Sequence, residues 1–177
     1  MTSRTLSADR VAGTDVRPPV PRRHVVAAHV TAWSVAPAGV WRILLGAGAA
    51  MGFERGHLEA SQMPGWGTLY VLFLSVLTEA LALLSLGLVR PWGEVVPSWI
   101  PVLRGRRIAT AAVVVPATLG GLALIPLWTY TVVGLFSVEE ISGGGWRALM
   151  IGCYLPTLLW GPLLLWLSVA YYRRRTR

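Results

Sequence analysis

Four long apolar stretches, separated by polar segments, set the pattern of the chain. They cover approximately residues 27–50, 68–89, 108–136 and 148–170. Each is long enough for a helix, which rises ~1.5 Å per residue, to cross the ~30 Å hydrocarbon core of a bilayer. Apolar residues are continuous within each stretch, whereas the strands of a membrane barrel are about ten residues long and alternate in polarity. The pattern therefore predicts an all-α fold, a four-helix transmembrane bundle.

The first and third stretches contain residues that membrane helices rarely carry. The first holds His29, Pro37 and Arg42, which makes it the weakest of the four. The third holds Pro116 and Pro126, which we expect to kink the helix because proline has no N–H to donate to the preceding turn. Neighbouring helices can satisfy the freed carbonyl groups, so both stretches are still predicted to span the membrane.

Polar segments divide the chain into three parts. Residues 1–24 are polar and rich in proline, and they are predicted to form a disordered cytoplasmic tail. Residues 25–172 form the membrane domain, and residues 173–177 form a basic cytoplasmic tail. The pair Arg22–Arg23 also begins twin-arginine export signals. Because the apolar stretch that follows is long and leads into further spans, we prefer to interpret the pair as an anchor at the membrane edge.

The charges between the apolar stretches alternate in sign. Arginine dominates residues 1–24, 90–107 and 171–177, whereas glutamate dominates the loops 51–67 and 137–146. Basic segments stay on the cytoplasmic side of a membrane, so the alternation predicts an even number of crossings with both termini inside. It also supports the weak first stretch as a crossing, because the basic N-terminal tail would otherwise lie outside. The predicted location is the cell (plasma) membrane, with multiple passes.

Composition supports a lipid environment and limits the kinds of binding partner that we expect. Apolar residues make up 54% of the chain and charged residues 14%, against roughly 25% charged residues in an average soluble domain. All 16 basic residues are arginine, and the net charge is +8. Because these arginines flank apolar stretches, the predicted partners are the lipid bilayer and its anionic headgroups, and not nucleic acid. Cys153 is the only cysteine, which excludes an internal disulfide bond.

Two charged residues, Arg42 and Glu79, lie inside apolar stretches. A charge at the centre of a bilayer costs about 2.5–3.5 kcal/mol on insertion scales, so Glu79 needs a partner or a neutral form. In antiparallel helices their depths differ by roughly 6 Å at ~1.5 Å per residue, which an arginine side chain can cover. We hypothesise an intramembrane ion pair between them. A structural link, or a snorkelling arginine beside a protonated carboxyl, is favoured over a path for protons or a substrate.

Small residues at four-residue spacing predict close contacts between helices. Gly48 and Gly52 have this spacing at the end of the first stretch, and Ala117 and Gly121 have it in the third. Contacts within the bundle are favoured over a dimer face, because four helices have many internal contacts to make.

The loop 90–107 is the most distinctive polar segment. It combines three prolines, which prevent a long helix, with tryptophans that favour the membrane interface and arginines that favour phosphate groups. The residues predicted to lie at the lipid interface are Arg90, Trp92, Trp99, Arg104, Arg106 and Arg107. We interpret the loop as a topology anchor lying flat on the inner face of the membrane. A docking site for anionic lipid or for a membrane-protein partner is the alternative.

The same loop carries a resemblance. It reads R-P-W-G and then P-x-W-x-P-x-L-x-G-R-R, and a further proline, Pro116, lies early in the next stretch. With the proline that precedes Arg42 in the first stretch, this pattern resembles uncharacterised actinobacterial multi-pass integral membrane proteins. The resemblance covers about residues 37–126. Since no activity is assigned to that family, the resemblance implies membrane residence and this topology, and nothing catalytic.

Motifs for enzymatic chemistry do not occur in the sequence. There is no G-x-S-x-G, H-E-x-x-H or C-x-x-C. Glu54, His57 and Glu59 lie close together in one loop, but such mixed groups more often form a solvated surface than a metal site. The sequence therefore predicts no catalytic residue, metal or cofactor.

The predicted function is that of a non-enzymatic accessory or interaction protein of the membrane. The alternative is a small transporter or channel that uses Arg42 and Glu79. A membrane enzyme comes third, because no set of residues supports it.

Overall fold

The computed structural model describes residues 20–93, 108–139, 141 and 144–176. Its seven described α-helices are α1 (Arg22–Trp33), α2 (Ala36–Gly46), α3 (Arg55–Ala60), α4 (Trp66–Leu84), α5 (Thr110–Leu135), α6 (Gly144–Tyr154) and α7 (Trp160–Thr176). Three 3₁₀ helices join or extend them, Ser85–Leu88, Pro91–Gly93 and Leu155–Leu159. The described residues form no strand, only an isolated bridge between Phe53 and Ile141. The all-α class predicted from the sequence is confirmed.

Among the described residues, three helical segments are long and apolar enough to cross a membrane. They are Trp66–Leu88, Thr110–Leu135 and Gly144–Thr176, with mean hydropathies of 2.2, 1.9 and 1.7. They support a membrane-embedded protein. The last segment is longer than the apolar stretch predicted at 148–170, because α7 continues through the C-terminal arginines instead of ending before them.

The first apolar stretch forms two helices instead of one. Helix α1 ends at Trp33, and α2 begins at Ala36 with Pro37 in its first turn. Proline is tolerated there because the N–H groups of a first helical turn have no partner within the helix. Ser34 and Val35 form the joint, and the Ser34 hydroxyl donates to the Thr31 carbonyl oxygen at 2.8 Å. Neither α1 nor α2 alone is long enough to cross a bilayer.

The glycine pair Gly48 and Gly52 lies outside any helix, so the predicted helix contact at this pair is wrong. Their φ angles are +93° and +87°, in the left-handed region that glycine adopts readily. They turn the chain after α2 ends at Gly46. A Cβ atom on Gly52 would lie 2.8 Å from the Cβ of Trp146, so this glycine also lets the α6 tryptophan approach.

The long helices pack as an open layer. Its order is α4, then α1 with α2, then α6 with α7, and finally α5. Helix α1 packs against α4 and α7, α2 packs against α4 and α6, and α5 packs mainly against α7. The four-helix bundle predicted from the sequence is not confirmed, because α4 and α5 lie at opposite edges of this layer.

Burial is unequal across the layer. In α5 the buried residues are Gly121, Trp128 and Val132, which form one narrow stripe towards α7. The main core lies between α1, α5 and α7 and includes Trp160 and Tyr171. A smaller core joins α2 to α6 near Trp41, Ile141 and Met150. Because lipid is as apolar as these side chains, close van der Waals contact rather than exclusion of water stabilises such interfaces in a membrane.

Both ends of the described chain lie at the same end of the layer. The ring of His24, near the start of α1, lies 4.8 Å from the ring of Trp166 in α7. Further along α7, the Tyr171 hydroxyl donates to the Gly93 carbonyl oxygen at 3.0 Å, which brings the end of the α4 segment to the same place. The helices thus traverse the layer an even number of times.

Charges separate between the two ends of the layer. We call the end near His24 the arginine end. Its described arginines are Arg22, Arg23, Arg90, Arg173, Arg174 and Arg175. The opposite end, near the bridge between Phe53 and Ile141, is the glutamate end, and it holds Glu54, Glu59 and Glu139 against Arg147. Segments whose charges alternate in sign along the sequence therefore lie at opposite ends of the layer.

Candidate functional site: a polar seam between α2 and α4

Helices α2 and α4 run antiparallel and meet along small and polar residues, which we call the polar seam. At one end of the seam, the Thr68 hydroxyl donates to the Gly46 carbonyl oxygen at 2.8 Å. At the other end, Gly39 makes room for Glu79, since a Cβ on this glycine would lie 2.8 Å from Oε1 of the glutamate. Glycine therefore admits a charged side chain between two closely packed helices.

Arg42 lies at the centre of the polar seam and is 7% exposed. Its Nε donates to the Ser75 hydroxyl oxygen at 3.1 Å, and Ser75 in turn donates to the Val71 carbonyl oxygen at 2.8 Å. The guanidinium carbon lies 5.9 Å from the ring centroid of Tyr154, in α6. A guanidinium over an aromatic face is stabilised by about 0.5–2 kcal/mol, more when water is excluded. Arg42 thus joins α2 to both neighbours.

Glu79 lies one helical turn beyond Ser75, on the same face of α4. The structure therefore brings Arg42 and Glu79 into one seam, as the sequence suggested. No hydrogen bond joins them, however: Nη2 of the arginine and Oε1 of the glutamate are both buried without a hydrogen-bond partner. A direct ion pair between them stays a prediction.

The buried serine and threonine hydroxyls of the layer, including Ser75 in the polar seam, bond to backbone that is close by in the chain. Each donates to a carbonyl oxygen three or four residues earlier in the chain. They belong to Thr31, Ser34, Ser75, Thr78, Ser85, Thr157 and Ser168. Because these protons are already donated locally, the hydroxyls form no hydrogen-bonded chain from one end of the described layer to the other.

Two of the predicted lipid-interface residues lie in the described part of the chain. Arg90 is exposed, and Trp92 is 41% exposed with its ring packed on Gly87. A Cβ on Gly87 would lie 2.8 Å from Cζ3 of this tryptophan, so the glycine forms part of the surface on which the ring rests. The remaining four, Trp99, Arg104, Arg106 and Arg107, lie outside the described residues.

The C-terminal arginines make contacts that the sequence analysis missed. Arg174 donates through Nη2 to the Leu88 carbonyl oxygen, and Arg175 donates to the Ile108 carbonyl oxygen at 2.6 Å. Their guanidinium carbons lie 5.7 and 5.8 Å from the ring centroid of Tyr171. These arginines therefore fasten α7 to the segments beside it. The sequence feature that could have predicted these contacts is an aromatic residue, Tyr171, shortly before a run of arginines.

No group of three or more histidine, cysteine, aspartate or glutamate residues in the described ranges is gathered closely enough to hold a metal ion. Family models, curated proteins and solved structures were compared with the chain, and none of them matches. The resemblance to actinobacterial membrane proteins therefore stays a prediction.

Proposed function

We propose that the protein crosses the cell membrane four times, with both termini in the cytoplasm. The three long apolar segments supply three crossings, and α1 with α2 supplies the fourth, from residue 22 to residue 46. The separation of charge supports this orientation, because arginine-rich segments are retained inside. The two ends of the described chain lie together at the arginine end, as four crossings require.

Within that membrane the protein acts without chemistry of its own, by association with a helix of another membrane protein. The observation that carries this proposal is the outward face of α5. Small residues follow one another there at helical spacing, namely Ala112, Pro116, Gly120 and Ala123. They are exposed or half-buried, and a Cβ on Gly120 would meet no atom within 4 Å. Small residues are enriched where membrane helices touch, because they let backbones approach.

The outward face of α4, at the other edge of the layer, provides the contrast. It carries bulky side chains such as Leu69, Phe73, Val76 and Leu83, all more than half exposed. Bulky aliphatic and aromatic groups suit contact with lipid chains. On α5, Val115, Leu119 and Leu122 are also more than half exposed, beside the small residues. We therefore infer that lipid covers the α4 edge and that a partner helix covers the small residues of α5.

Cysteine crosslinking in native membranes tests this assignment. In a Cys153→Ser background, Ala123→Cys introduces a thiol on the α5 face, and Val76→Cys introduces the matched control on α4. We expect a crosslinked adduct from position 123 that disappears when Gly120→Leu is added, and none from position 76. Equal crosslinking at both positions, or an adduct that survives Gly120→Leu, would contradict the proposal. An adduct of twice the chain mass would identify the partner as a second copy.

The second candidate function is transport through the polar seam. It rests on Arg42 and Glu79, which each keep a buried polar atom without a hydrogen-bond partner among apolar helices. Residues of this kind mark proton and ion pathways in membrane proteins. Proton or solute flux into proteoliposomes that is lost with Glu79→Gln would support this function. Liposomes no more permeable than protein-free ones, or flux unchanged by Glu79→Gln, would contradict it.

A further inference from the structure

His24 is a buried histidine at the arginine end whose ring nitrogen has no hydrogen-bond partner. The residue is 8% exposed and packs on Trp166, with ring centroids 4.8 Å apart. Its Nδ1 is buried and makes no hydrogen bond. A buried polar atom without a partner loses the hydrogen bonds that water would give it, which typically costs about 1–3 kcal/mol.

Positive charge converges on His24 from two helices. Arg23 is its neighbour in α1, and Arg174 of α7 donates to the Leu88 carbonyl oxygen, in the 3₁₀ helix Ser85–Leu88 on which α1 packs. The described carboxylates lie elsewhere, at the glutamate end or in the polar seam. The described part of the arginine end therefore presents several cations and no neutralising side chain.

The hydrogen-bond donors around His24 are held in place and incompletely used. Arg174 donates through Nη2 to the Leu88 carbonyl oxygen, while its Nε is buried and has no partner. Helix α1 begins after Pro21, which offers no side-chain oxygen to its first N–H groups. The N terminus of a helix also carries a partial positive charge that favours anions. An anion that accepts several hydrogen bonds would complete this arrangement.

We propose that Arg23, His24 and Arg174 bind an anionic phospholipid through its phosphate, and that they disfavour a zwitterionic headgroup because the arginines repel its ammonium group. The site rests on the proposed membrane insertion, which places the ends of α1 and α7 at headgroup depth. Phosphate oxygens accept hydrogen bonds from guanidinium, imidazole and backbone N–H groups. Trp166 is 42% exposed beside His24, and tryptophan prefers the boundary between headgroups and chains. The site uses none of the residues of the loop 90–107, for which the sequence alone predicted contacts with lipid.

Histidine NMR on the full chain in lipid nanodiscs tests the site, because the chain has three histidines. We would titrate His24, His29 and His57 in discs of phosphatidylcholine and in discs that also contain phosphatidylglycerol. A bound anion favours the imidazolium form, so we expect phosphatidylglycerol to raise the pKa of His24 by about one unit. His57 reports the general surface potential at the opposite end. An equal change in the pKa values of His24 and His57, or no change in the pKa of His24, would overturn the proposal.

Two variants and a control separate the site from general charge effects. We expect the lipid-induced change at His24 to be lost in Arg174→Gln and reduced in Arg23→Gln, and to be retained in Arg173→Gln. Arg173 is the exposed neighbour, so its substitution removes the same charge from the same turn. Arg23 is also exposed, so Arg23→Gln remains informative if Arg174→Gln fails to fold. A change that survives both Arg23→Gln and Arg174→Gln would contradict the assignment.

The source of the phosphate is tested with inorganic phosphate added to phosphatidylcholine discs. We expect no change at His24. If inorganic phosphate changed the pKa of His24 as much as phosphatidylglycerol does, the ligand would be a soluble phosphate and the lipid proposal would be wrong. Size-exclusion chromatography records incorporation into the discs: a chain that stays outside contradicts the proposed membrane function, whereas an incorporated chain without a His24 response contradicts the phosphate site alone.

Discussion

Glycine has different roles in two helix contacts, the polar seam between α2 and α4 and the contact between α5 and α7. In the polar seam, Gly39 leaves space for the carboxyl group of Glu79. Between α5 and α7, Gly121 and Gly161 face each other, and a Cβ on either would lie 3.0–3.3 Å from the carbonyl oxygen of the other. Gly39 leaves room for a carboxyl side chain, whereas Gly121 and Gly161 let two helix backbones come into contact.

This difference determines how each interface responds to change. The polar seam depends on a few polar contacts, centred on the hydrogen bond from Arg42 to Ser75. The α5–α7 contact depends on shape, because backbone cannot rotate away from an added methyl group. Polar substitutions should therefore damage the first interface most, and steric substitutions should damage the second.

Removal of the buried arginine should have the largest effect. Arg42→Met leaves Glu79 without a nearby cation, and loss of one partner from a buried pair of charges costs about 3 kcal/mol. Addition of Glu79→Gln should recover part of that loss, since it replaces a lone buried carboxylate with a neutral amide. Unfolding free energies of both single variants and the double variant, from detergent titrations, measure the coupling. Simple additivity of the two single effects would show that these residues do not interact.

A methyl-bearing side chain at Gly161 should have the next largest effect. A Cβ there would lie 2.7 Å from Cγ1 of Ile125 and 3.1 Å from the backbone nitrogen of the same residue. Gly161→Val should therefore separate α5 from α7 and lower the unfolding free energy by about 2 kcal/mol. Gly134→Val, in α5 and in open space, is the matched control. Thermal unfolding that is the same for both variants would contradict the described packing.

The smallest expected effect is at Gly39. A Cβ there meets only the flexible end of Glu79, so Gly39→Ala should cost about 1 kcal/mol, the lower limit for overpacking. Gly46→Ala is the control in the same helix, because its Cβ would meet Thr68 Cγ2 at an ordinary 3.6 Å. Combining Gly39→Ala with Glu79→Gln tests the contact further. We expect the shared contact to make the combined loss differ from the sum of the two. Equal unfolding temperatures for the two alanine variants would show that the carboxyl group lies elsewhere.

The sequence predicts the helical class and most of the long apolar segments, because length and continuous hydrophobicity are local properties. It does not predict the joint at Ser34 and Val35, since Pro37 is compatible with either a kinked helix or a new one. The pair Gly48 and Gly52 shows the same limit. Their spacing fits a helix contact, yet their backbone angles end the helix.

The arrangement of the helices and the contents of the site depend on contacts between distant residues. Arg42 and Glu79 stand out in the sequence because charges are rare in apolar stretches, and the structure places both in one seam. Ser75 does not stand out, because a serine in a membrane helix usually bonds to its own backbone. The open layer has no sequence signal either, since apolar faces turned to lipid and to another helix have similar composition.

The side of the membrane on which each end lies tests the central claim most directly. Reporter tags at the N and C termini would be assayed in intact cells, together with a Glu59→Cys variant labelled by a membrane-impermeant reagent in a Cys153→Ser background. The account predicts both tags in the cytoplasm and position 59 labelled from outside. Tags on opposite sides of the membrane, or a chain that remains soluble without detergent, would contradict it.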